Sequence, residues 1–180
     1  STRILGMEIP FDAETLNQAQ RDVVKKNNLN SAYIRPMCFY GSEGMGLRAD
    51  NLKVHVMIAA WEWGSYLGKD NMKNGIRIRK SSYIRHHAHP SLSGAKMNGN
   101  YINSMMALKE AQDHGFDEAL MLDVEGFVSE GSGENIFVIK DEVLYTPHLS
   151  SALPGITRDT IFTLAKSLGY KVVEKKISCD

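Results

Sequence analysis

The stretch S-G-A-K-M-N-G-N-Y, from Ser93 to Tyr101, places one lysine among small residues, with a glycine on either side. Small neighbours allow a flat ligand to approach the backbone closely. A lysine in a partly desolvated site loses affinity for its proton, and a neutral amine is what imine formation with an aldehyde requires. This stretch alone favours a solvated lysine in a glycine-rich loop, because lysine side chains are mostly exposed.

Two later stretches favour the chemical interpretation. S-E-G-S-G-E-N runs from Ser129 to Asn135, and L-P-G-I-T-R runs from Leu153 to Arg158. In this order and at these separations, the three motifs resemble the branched-chain aminotransferases. These are pyridoxal phosphate (PLP) enzymes of the fold that also includes D-amino-acid aminotransferase and aminodeoxychorismate lyase. The resemblance extends along essentially all 180 residues. Because the family's chains are considerably longer, we expect this chain to match the middle of one.

The resemblance implies an α+β fold, the two-domain type IV fold of PLP enzymes, incomplete at both ends. Residues 1–74 would form part of a small α/β domain, residues 75–92 an interdomain segment, and residues 93–180 the first part of a large PLP-binding domain. The hydrophobic pattern predicts the elements directly. Helices are expected at residues 11–28, 100–114 and 157–168, and strands at residues 32–40, 53–61, 118–123, 135–139, 143–146 and 171–177.

Several side chains of these elements have predictable positions. Asp12 is a plausible N-cap for the first helix. On the helix over residues 100–114, the core face is expected to contain Tyr101, Met105, Leu108 and Gln112, with the methionines as core filler. Residues 75–85 predict a strand whose basic residues lie on one solvated face. The strands that follow Glu118 are expected to form one antiparallel meander.

The composition limits the possible partners. Lys+Arg and Asp+Glu number 21 each, so the formal net charge is zero and there is no general attraction for nucleic acid or an anionic membrane. No apolar run approaches the roughly 20 residues of a membrane span. Cys38 and Cys179 lie far apart and suggest two free thiols in a reducing compartment, the cytoplasm, rather than a disulfide or a metal site. His86, His87 and His89 predict a polar interdomain loop rather than a metal site, because adjacent histidines converge poorly.

PLP requires a Schiff-base lysine, an acid at its pyridine nitrogen, a donor at its phenolic oxygen and a phosphate site. The resemblance assigns the first role to Lys96, which would also move the substrate proton. It assigns the second role to Glu130 and the third to Tyr101. Ile156 and Thr157 open a predicted helix, whose N-terminal amides suit phosphate, and the resemblance gives them that role. It places further phosphate ligands outside this chain.

A second group of residues concerns the substrate. Tyr33 and Arg35 lie two apart on a predicted strand and therefore share a face, where the guanidinium offers a planar fork to a carboxylate. A surface ion pair is the alternative. By resemblance, Arg35 binds the substrate α-carboxylate, and Trp63 and Tyr66 wall the side-chain pocket. For both aromatic residues, core or interface packing is the alternative.

The resemblance implies transamination of leucine, isoleucine and valine with 2-oxoglutarate, giving branched-chain 2-oxo acids and L-glutamate, as in branched-chain amino-acid biosynthesis. It also implies a homo-oligomer, either a dimer or a trimer of dimers. A D-amino-acid aminotransferase or an aminodeoxychorismate lyase is the related alternative, which the Y-x-R-P and G-M-G elements argue against. A fragment that folds but does not hold PLP is the alternative from another class.

Overall fold

The chain forms two separate units in the computed structural model, which describes residues 1–64, 71–87 and 92–180. One unit comprises Thr2–Lys69, and the other comprises Asp70–Asp180 together with the first residue of the chain. Each unit has its own internal contacts and is described by itself below. The domain boundaries expected after residues 74 and 92 stay predictions.

The unit Thr2–Lys69 contains helix α1 (Ala13–Lys26) and the antiparallel strands β1 (Tyr33–Tyr40) and β2 (Val54–Trp61). The predicted N-cap is confirmed, because the Asp12 carboxylate accepts a hydrogen bond of 2.7 Å from the Thr15 backbone N–H. This bond satisfies one of the amides that a helix start otherwise leaves without a partner. The helix contacts both strands, so the unit is a small α/β arrangement.

The second unit contains two small sheets. Its elements are α2 (Asn71–Asn74), β3 (Ile78–Lys80), a 3₁₀ turn (Asn98–Asn100), α3 (Tyr101–Asp113), β4 (Glu118–Leu122), β5 (Val128–Gly131), β6 (Val138–Lys140), β7 (Val143–Thr146), α4 (Ile156–Ser167) and β8 (Lys171–Glu174). In the first sheet, β4 pairs in parallel with β3 and antiparallel with β5. In the second, β7 pairs antiparallel with β6 and in parallel with β8.

The expectation of a single antiparallel meander is therefore wrong. The chain leaves the first sheet after β5, because hydrogen bonds hold the glycine-rich turn over residues 131–134 in place. The Gly131 backbone N–H donates to the Glu134 carbonyl at 2.8 Å, and the Ser132 N–H donates to the buried Glu118 carboxylate at 3.1 Å. As a result the next strand begins at Val138 and joins the second sheet.

Helix α3 is confirmed in position but not in orientation. Its buried side chains are Ser104, Ala107 and Ala111, whereas Met105 is 67% exposed. The predicted core face was wrong because the helix packs on β4 through its smallest residues. Ala107 and Ala111 join Ala119 and Met121 of β4 in the buried core. Small side chains let a helix approach a sheet closely, and the long methionines then project elsewhere.

The basic segment also differs from expectation. Ile78 of β3 is exposed, while the guanidinium of Arg79 lies 5.8 Å from the centre of the Phe116 ring. An arginine can cover apolar surface with its stem and stack its head on an aromatic face. The predicted single solvated basic face is therefore wrong, since Arg79 points inward and Arg85, further along, is buried.

Two features bear on binding partners. In the parts of the chain that the structure describes, no helix has the length and apolar character needed to cross a membrane. Across those same residues, no three side chains of His, Cys, Asp or Glu are grouped to hold a metal ion.

Two residues named in the sequence analysis, His89 and Tyr66, lie outside the described residues. Cys38 and Cys179 are both free thiols.

Candidate active site

Lys96 lies at a tight turn just before helix α3. The Ala95 N–H donates to the Leu92 carbonyl at 2.7 Å, and the Met97 N–H donates to the Ala95 carbonyl at 2.9 Å. The side chains of Ser93 and Ala95 are buried, so the residues that alternate with them, including Lys96, point outward. The small residues of this stretch thus fix the backbone of the loop and present the lysine at its surface.

The amine of Lys96 has a specific partner. Its Nζ donates a hydrogen bond of 2.6 Å to Oη of Tyr101, and the amine lies 5.2 Å from the centre of the same ring. Tyr101 is the first residue of α3, so the helix start fixes the phenol. Because the hydroxyl accepts from the lysine, its own proton can be donated to a third group.

Glu130, like Glu118, is a buried acid of this unit. It lies on β5 opposite Met121 of β4 and is 5% exposed. Burial raises the pKa of Glu130 above its usual range, and this shift is opposed by the charge of Arg85, by the N–H of Leu153 and by the charge of Lys96. The predicted lysine and the predicted acid are therefore close enough for their charges to interact.

Arg85 neutralises the Glu130 carboxylate. Its Nε lies 2.6 Å from Oε1 of Glu130, and both side chains are buried. The Nε–H is not aligned with the oxygen, so the contact is mainly charge attraction. The Arg85 backbone N–H donates to the Leu122 carbonyl at 2.7 Å, which holds the residue beside the end of β4. Its Nη1 also donates to Ser104 Oγ at 3.3 Å.

Asn135 connects two of the sequence motifs. The second carboxylate oxygen of Glu130, Oε2, accepts from the Leu153 N–H at 3.0 Å and from Asn135 Nδ2 at 3.3 Å. Asn135 Nδ2 also donates to the Leu153 carbonyl at 2.9 Å. These bonds bring S-E-G-S-G-E-N and L-P-G-I-T-R into direct contact.

Helix α4 begins at the candidate phosphate residues. Gly155 is its N-cap residue, in extended backbone conformation, and no side chain caps the helix. Ile156 is 87% exposed, and Thr157 is exposed beside it. The N-terminal amides of a helix, together with its dipole, attract anions when no side chain satisfies them. The two residues predicted for phosphate are therefore accessible at a helix end that suits an anion.

The predicted substrate residues lie in the unit Thr2–Lys69. Arg35 is exposed, donates a hydrogen bond of 3.0 Å to Tyr33 Oη, and lies over the rings of Tyr33 and Trp61 at 5.1 and 5.8 Å. The rings of Trp63 and Tyr33 are tilted at 56° to each other, with ring centres 4.6 Å apart. Among the described residues, no carboxylate forms an ion pair with Arg35, so the alternative of a surface ion pair has no partner in this part of the chain. The structure thus brings Tyr33, Arg35 and Trp63 together.

Three contributing residues were not predicted. Trp61 has a signal in the sequence, since it faces Tyr33 across β1 and β2 and alternates with Trp63. Arg85 has none, because nothing local distinguishes it from the exposed Arg77. Asn135 belongs to a recognised motif, but its role depends on the fold, which brings Leu153 beside it.

The comparisons with known proteins agree with this geometry. The sequence profile described as amino-transferase class IV matches residues 1–180. The chain belongs to the class IV aminotransferase family. It is 59% identical over 180 residues to a branched-chain-amino-acid aminotransferase of Pseudomonas aeruginosa, in a match that covers 100% of this chain and 59% of that protein. The predicted family is therefore confirmed.

Solved structures of branched-chain aminotransferases confirm the predicted fold. The crystal structure of the Escherichia coli enzyme matches with a TM-score of 0.95 and 46% identity, over 99% of this chain and 59% of that one. The enzyme from Thermobaculum terrenum, solved in its PLP-form, matches with a TM-score of 0.88 and 29% identity, over 98% of this chain and 58% of that one. The chain thus spans about 59% of the length of the Pseudomonas and Escherichia relatives.

Proposed function

We propose that the protein containing this chain is a PLP-dependent branched-chain amino-acid aminotransferase. It transfers the amino group of leucine, isoleucine or valine to 2-oxoglutarate and gives branched-chain 2-oxo acids and L-glutamate. The observation that carries this proposal is the buried Glu130, which lies close enough to Lys96 for their charges to interact and is bonded to the loop that begins helix α4. The 59% identity to an aminotransferase of that name supports it.

The residues present fit PLP chemically. Lys96 offers an amine at a surface loop, and Tyr101 offers a phenol proton beside it. Glu130 offers a buried carboxylate, and Ile156 and Thr157 offer accessible amides at a helix start. In that order, these protein groups are complementary to four parts of PLP, namely its aldehyde, its phenolic oxygen, its pyridine nitrogen and its phosphate. When bound, PLP supplies an electron sink that stabilises negative charge at the substrate α-carbon.

The chain's own residues then have distinct tasks. The Glu130 carboxylate would keep a proton on the pyridine nitrogen of a bound cofactor, and Arg85 holds that carboxylate in place. The amine of Lys96 would take the proton from the substrate α-carbon and return it during the reverse transfer. Tyr101 Oη orients the amine through its 2.6 Å hydrogen bond.

Arg35 and its aromatic neighbours are proposed to bind substrate. The guanidinium is exposed and supported by ring faces, an arrangement that leaves N–H groups for a carboxylate. Tyr33, Trp63 and Tyr66 would supply apolar walls for a branched aliphatic side chain. An aminotransferase of this specificity needs both properties, because its amino acids all carry an α-carboxylate and leucine, isoleucine and valine also carry an apolar branched side chain.

We further propose a homo-oligomer, a dimer or a trimer of dimers, in the cytoplasm. Ile102 and Met105 project from α3 as exposed apolar side chains, which is typical of a surface that a second subunit covers. The free thiols Cys38 and Cys179 fit a reducing compartment. Light scattering with the full-length protein would test the assembly, and a monomer at micromolar concentration would contradict it.

Replacement of Lys96 tests the function directly. In the full-length protein, Lys96→Ala should abolish transamination and the visible absorbance of the covalently held cofactor, because residues 92–101 contain no other lysine. Borohydride reduction followed by peptide mapping should place the adduct on Lys96. Lys109→Ala is the matched control, since Lys109 is an exposed lysine of α3 that pairs only with Asp113 among the described residues. An adduct on another lysine would contradict the assignment.

A further inference from the structure

We propose that Asn135 is a positioning residue that holds the Glu130 carboxylate and the start of helix α4 at a fixed separation. Asn135 touches both structures and has no part in the chemistry itself. This inference rests on the proposed function, because Glu130 and the α4 start are there the groups for the pyridine nitrogen and the phosphate of the cofactor. Its specific content is that one amide side chain sets the separation of those two protein groups.

The first argument is the hydrogen bonding of the amide. Nδ2 carries two N–H groups, and the structure gives it two acceptors, the Leu153 carbonyl at 2.9 Å and Glu130 Oε2 at 3.3 Å. A rotated amide would place its oxygen against these two acceptors and repel both. The observed orientation therefore gives a donor to both the Leu153 carbonyl and Glu130 Oε2. An ionised aspartate has no N–H to donate, so it could not replace the asparagine here.

The second argument is the space beside Gly155. A Cβ placed on Gly155 would overlap Oδ1 of Asn135. The backbone of Gly155, with φ −71° and ψ 142°, suits any residue, so glycine is needed at this position for room rather than for conformation. Asn135 consequently contacts the α4 start with one end of its amide and Glu130 with the other.

The third argument is the route between the two sites. The Gly155 N–H donates to the Leu153 carbonyl at 2.8 Å, and the Leu153 N–H donates to Glu130 Oε2 at 3.0 Å. Leu153 is therefore bonded on one side to the acid and on the other to the N-cap residue of α4. Asn135 donates hydrogen bonds to both the Glu130 carboxylate and the Leu153 carbonyl. The three residues are therefore joined pairwise by hydrogen bonds.

The test is a double-mutant cycle in the full-length protein, with Asn135→Ala, Gly155→Ala and both together. The measured quantities are the PLP dissociation constant of the apoprotein and its melting temperature without PLP. Gly155→Ala alone should weaken PLP binding by about tenfold, because the new methyl group displaces the Asn135 amide. In the Asn135→Ala background the same change should cost less than about twofold, because the overlapping oxygen is gone.

Gly133→Ala is the matched control, since Gly133 lies in the same motif, lacks positive φ and has open space where its Cβ would go. It should leave the PLP dissociation constant within about twofold of the unmodified protein. Equal losses from Gly155→Ala in both backgrounds would overturn the proposal.

The pH profile separates positioning from simple structural support. Asn135→Ala removes one donor from the Glu130 carboxylate, and loss of a donor to a charged form raises the pKa of the acid. The acid limb of the kcat profile should therefore move to higher pH in Asn135→Ala, and Asn135→Asp should move it further. An unchanged profile with a lowered melting temperature would mean that Asn135 only supports the fold, which overturns the proposal.

The melting measurements also separate this inference from the proposed function. If the full-length protein bound no PLP, the proposed function would fail. The coupling between Asn135 and Gly155 would still appear in the melting temperatures, which should fall on Gly155→Ala only when Asn135 is present. Additive melting losses would overturn the inference whatever the protein binds.

Discussion

Arg85 and Arg35 have opposite surroundings in the two units of the chain. Arg85 is 7% exposed and lies 2.6 Å from the buried Glu130 carboxylate. Arg35 is exposed, and its guanidinium is supported by the rings of Tyr33 and Trp61. The difference shows how one residue type serves two purposes. A buried guanidinium must have a fixed anionic partner, whereas an exposed one stacked on aromatic rings keeps N–H groups for a ligand.

The energetic consequences differ in the same way. Removal of one member of a buried ion pair leaves an uncompensated charge, which costs about 3–5 kcal/mol. A cation–π contact at an exposed site contributes only about 0.5–1 kcal/mol. Changes around Arg85 and Glu130 should therefore affect stability as well as chemistry, while changes at Arg35 should affect substrate binding with little effect on folding.

The largest effect is expected from Glu130→Gln. The amide keeps the shape of the side chain but cannot hold a proton on the cofactor ring, so proton abstraction from the substrate should slow by about three orders of magnitude, at about 1.4 kcal/mol per factor of ten. Single-turnover stopped-flow with leucine, and then with 2-oxoglutarate, measures the two half-reactions separately. Both should slow, because both require the same proton transfer.

Glu110→Gln is the matched control for that experiment, since it changes an acid of α3 whose carboxylate accepts a hydrogen bond from Ser81 Oγ at 2.6 Å. Near-normal rates in either half-reaction of Glu130→Gln would mean that the Glu130 carboxylate has only a structural role in β5. PLP should still bind to the variant, because Lys96 and the start of α4 are unchanged.

Arg85→Ala should give the second largest effect. It leaves the Glu130 carboxylate buried without its ion pair, so the free energy of unfolding should fall by about 3–5 kcal/mol. Urea titration measures this, with Arg77→Ala as the control, since Arg77 is an exposed arginine of the same segment. The double variant Arg85→Ala with Glu130→Ala should lose less than the sum of the two single losses. Additive losses would mean that the pair does not interact.

Arg35→Ala should give a smaller loss, and in binding rather than in stability. Loss of one charge-assisted pair with a substrate carboxylate should cost about 2–3 kcal/mol, which would appear as a raised KM. PLP retention and the melting temperature should change little. If KM rises for both leucine and glutamate, Arg35 binds the α-carboxylate that they share. A rise for glutamate alone would assign Arg35 to the side-chain carboxylate.

Arg48→Ala is the control for Arg35, because Arg48 is an exposed arginine of the same unit that pairs with Asp50. Lost PLP binding with an unchanged KM in Arg35→Ala would contradict the substrate role.

The sequence alone singled out the groups proposed for chemistry because their motifs are local. Lys96 and Glu130 lie in short patterns that are specific in combination, and the elements around them follow from hydrophobic periodicity. Arg85 and Asn135 could not be found in this way. Each is held by a partner that is distant in the sequence. Arg85 is bonded to Leu122 at the end of β4, and Asn135 is bonded to Leu153.

Helix α3 shows the other limit of pattern reading. Periodicity places large apolar residues inside, so Met105 was expected in the core. The helix instead lies against β4 through Ala107 and Ala111. Which face of the helix packs on the sheet, the one with large residues or the one with small residues, depends on the distance between helix and sheet. The sequence of the helix alone does not determine that distance.

The smallest effect concerns Glu110, whose surroundings are the reverse of those of Glu130. Hydrogen bonds from the side chains of Ser81 and Ser82, together with the Ser82 backbone N–H, lower the pKa of Glu110 from its ordinary value of 4.5 to about 2. Burial instead raises the pKa of Glu130. The two acids should therefore contribute to stability with opposite dependence on pH.

The signs follow from proton linkage. Glu110 binds its proton less readily in the folded state, so its stabilisation is complete above about pH 4.5 and is lost as the pH falls towards 2. Glu130 binds its proton more readily in the folded state, so stability falls as the pH rises through its raised pKa.

Glu110→Gln should flatten the acid side of the curve of melting temperature against pH, because the glutamine has no charge to lose. Glu8→Gln, a change at an exposed glutamate elsewhere in the chain, is the control. If Glu110→Gln kept the full acid slope between pH 5 and pH 2, the serine contacts would not favour the charged carboxylate, and the contrast with Glu130 would rest on burial alone.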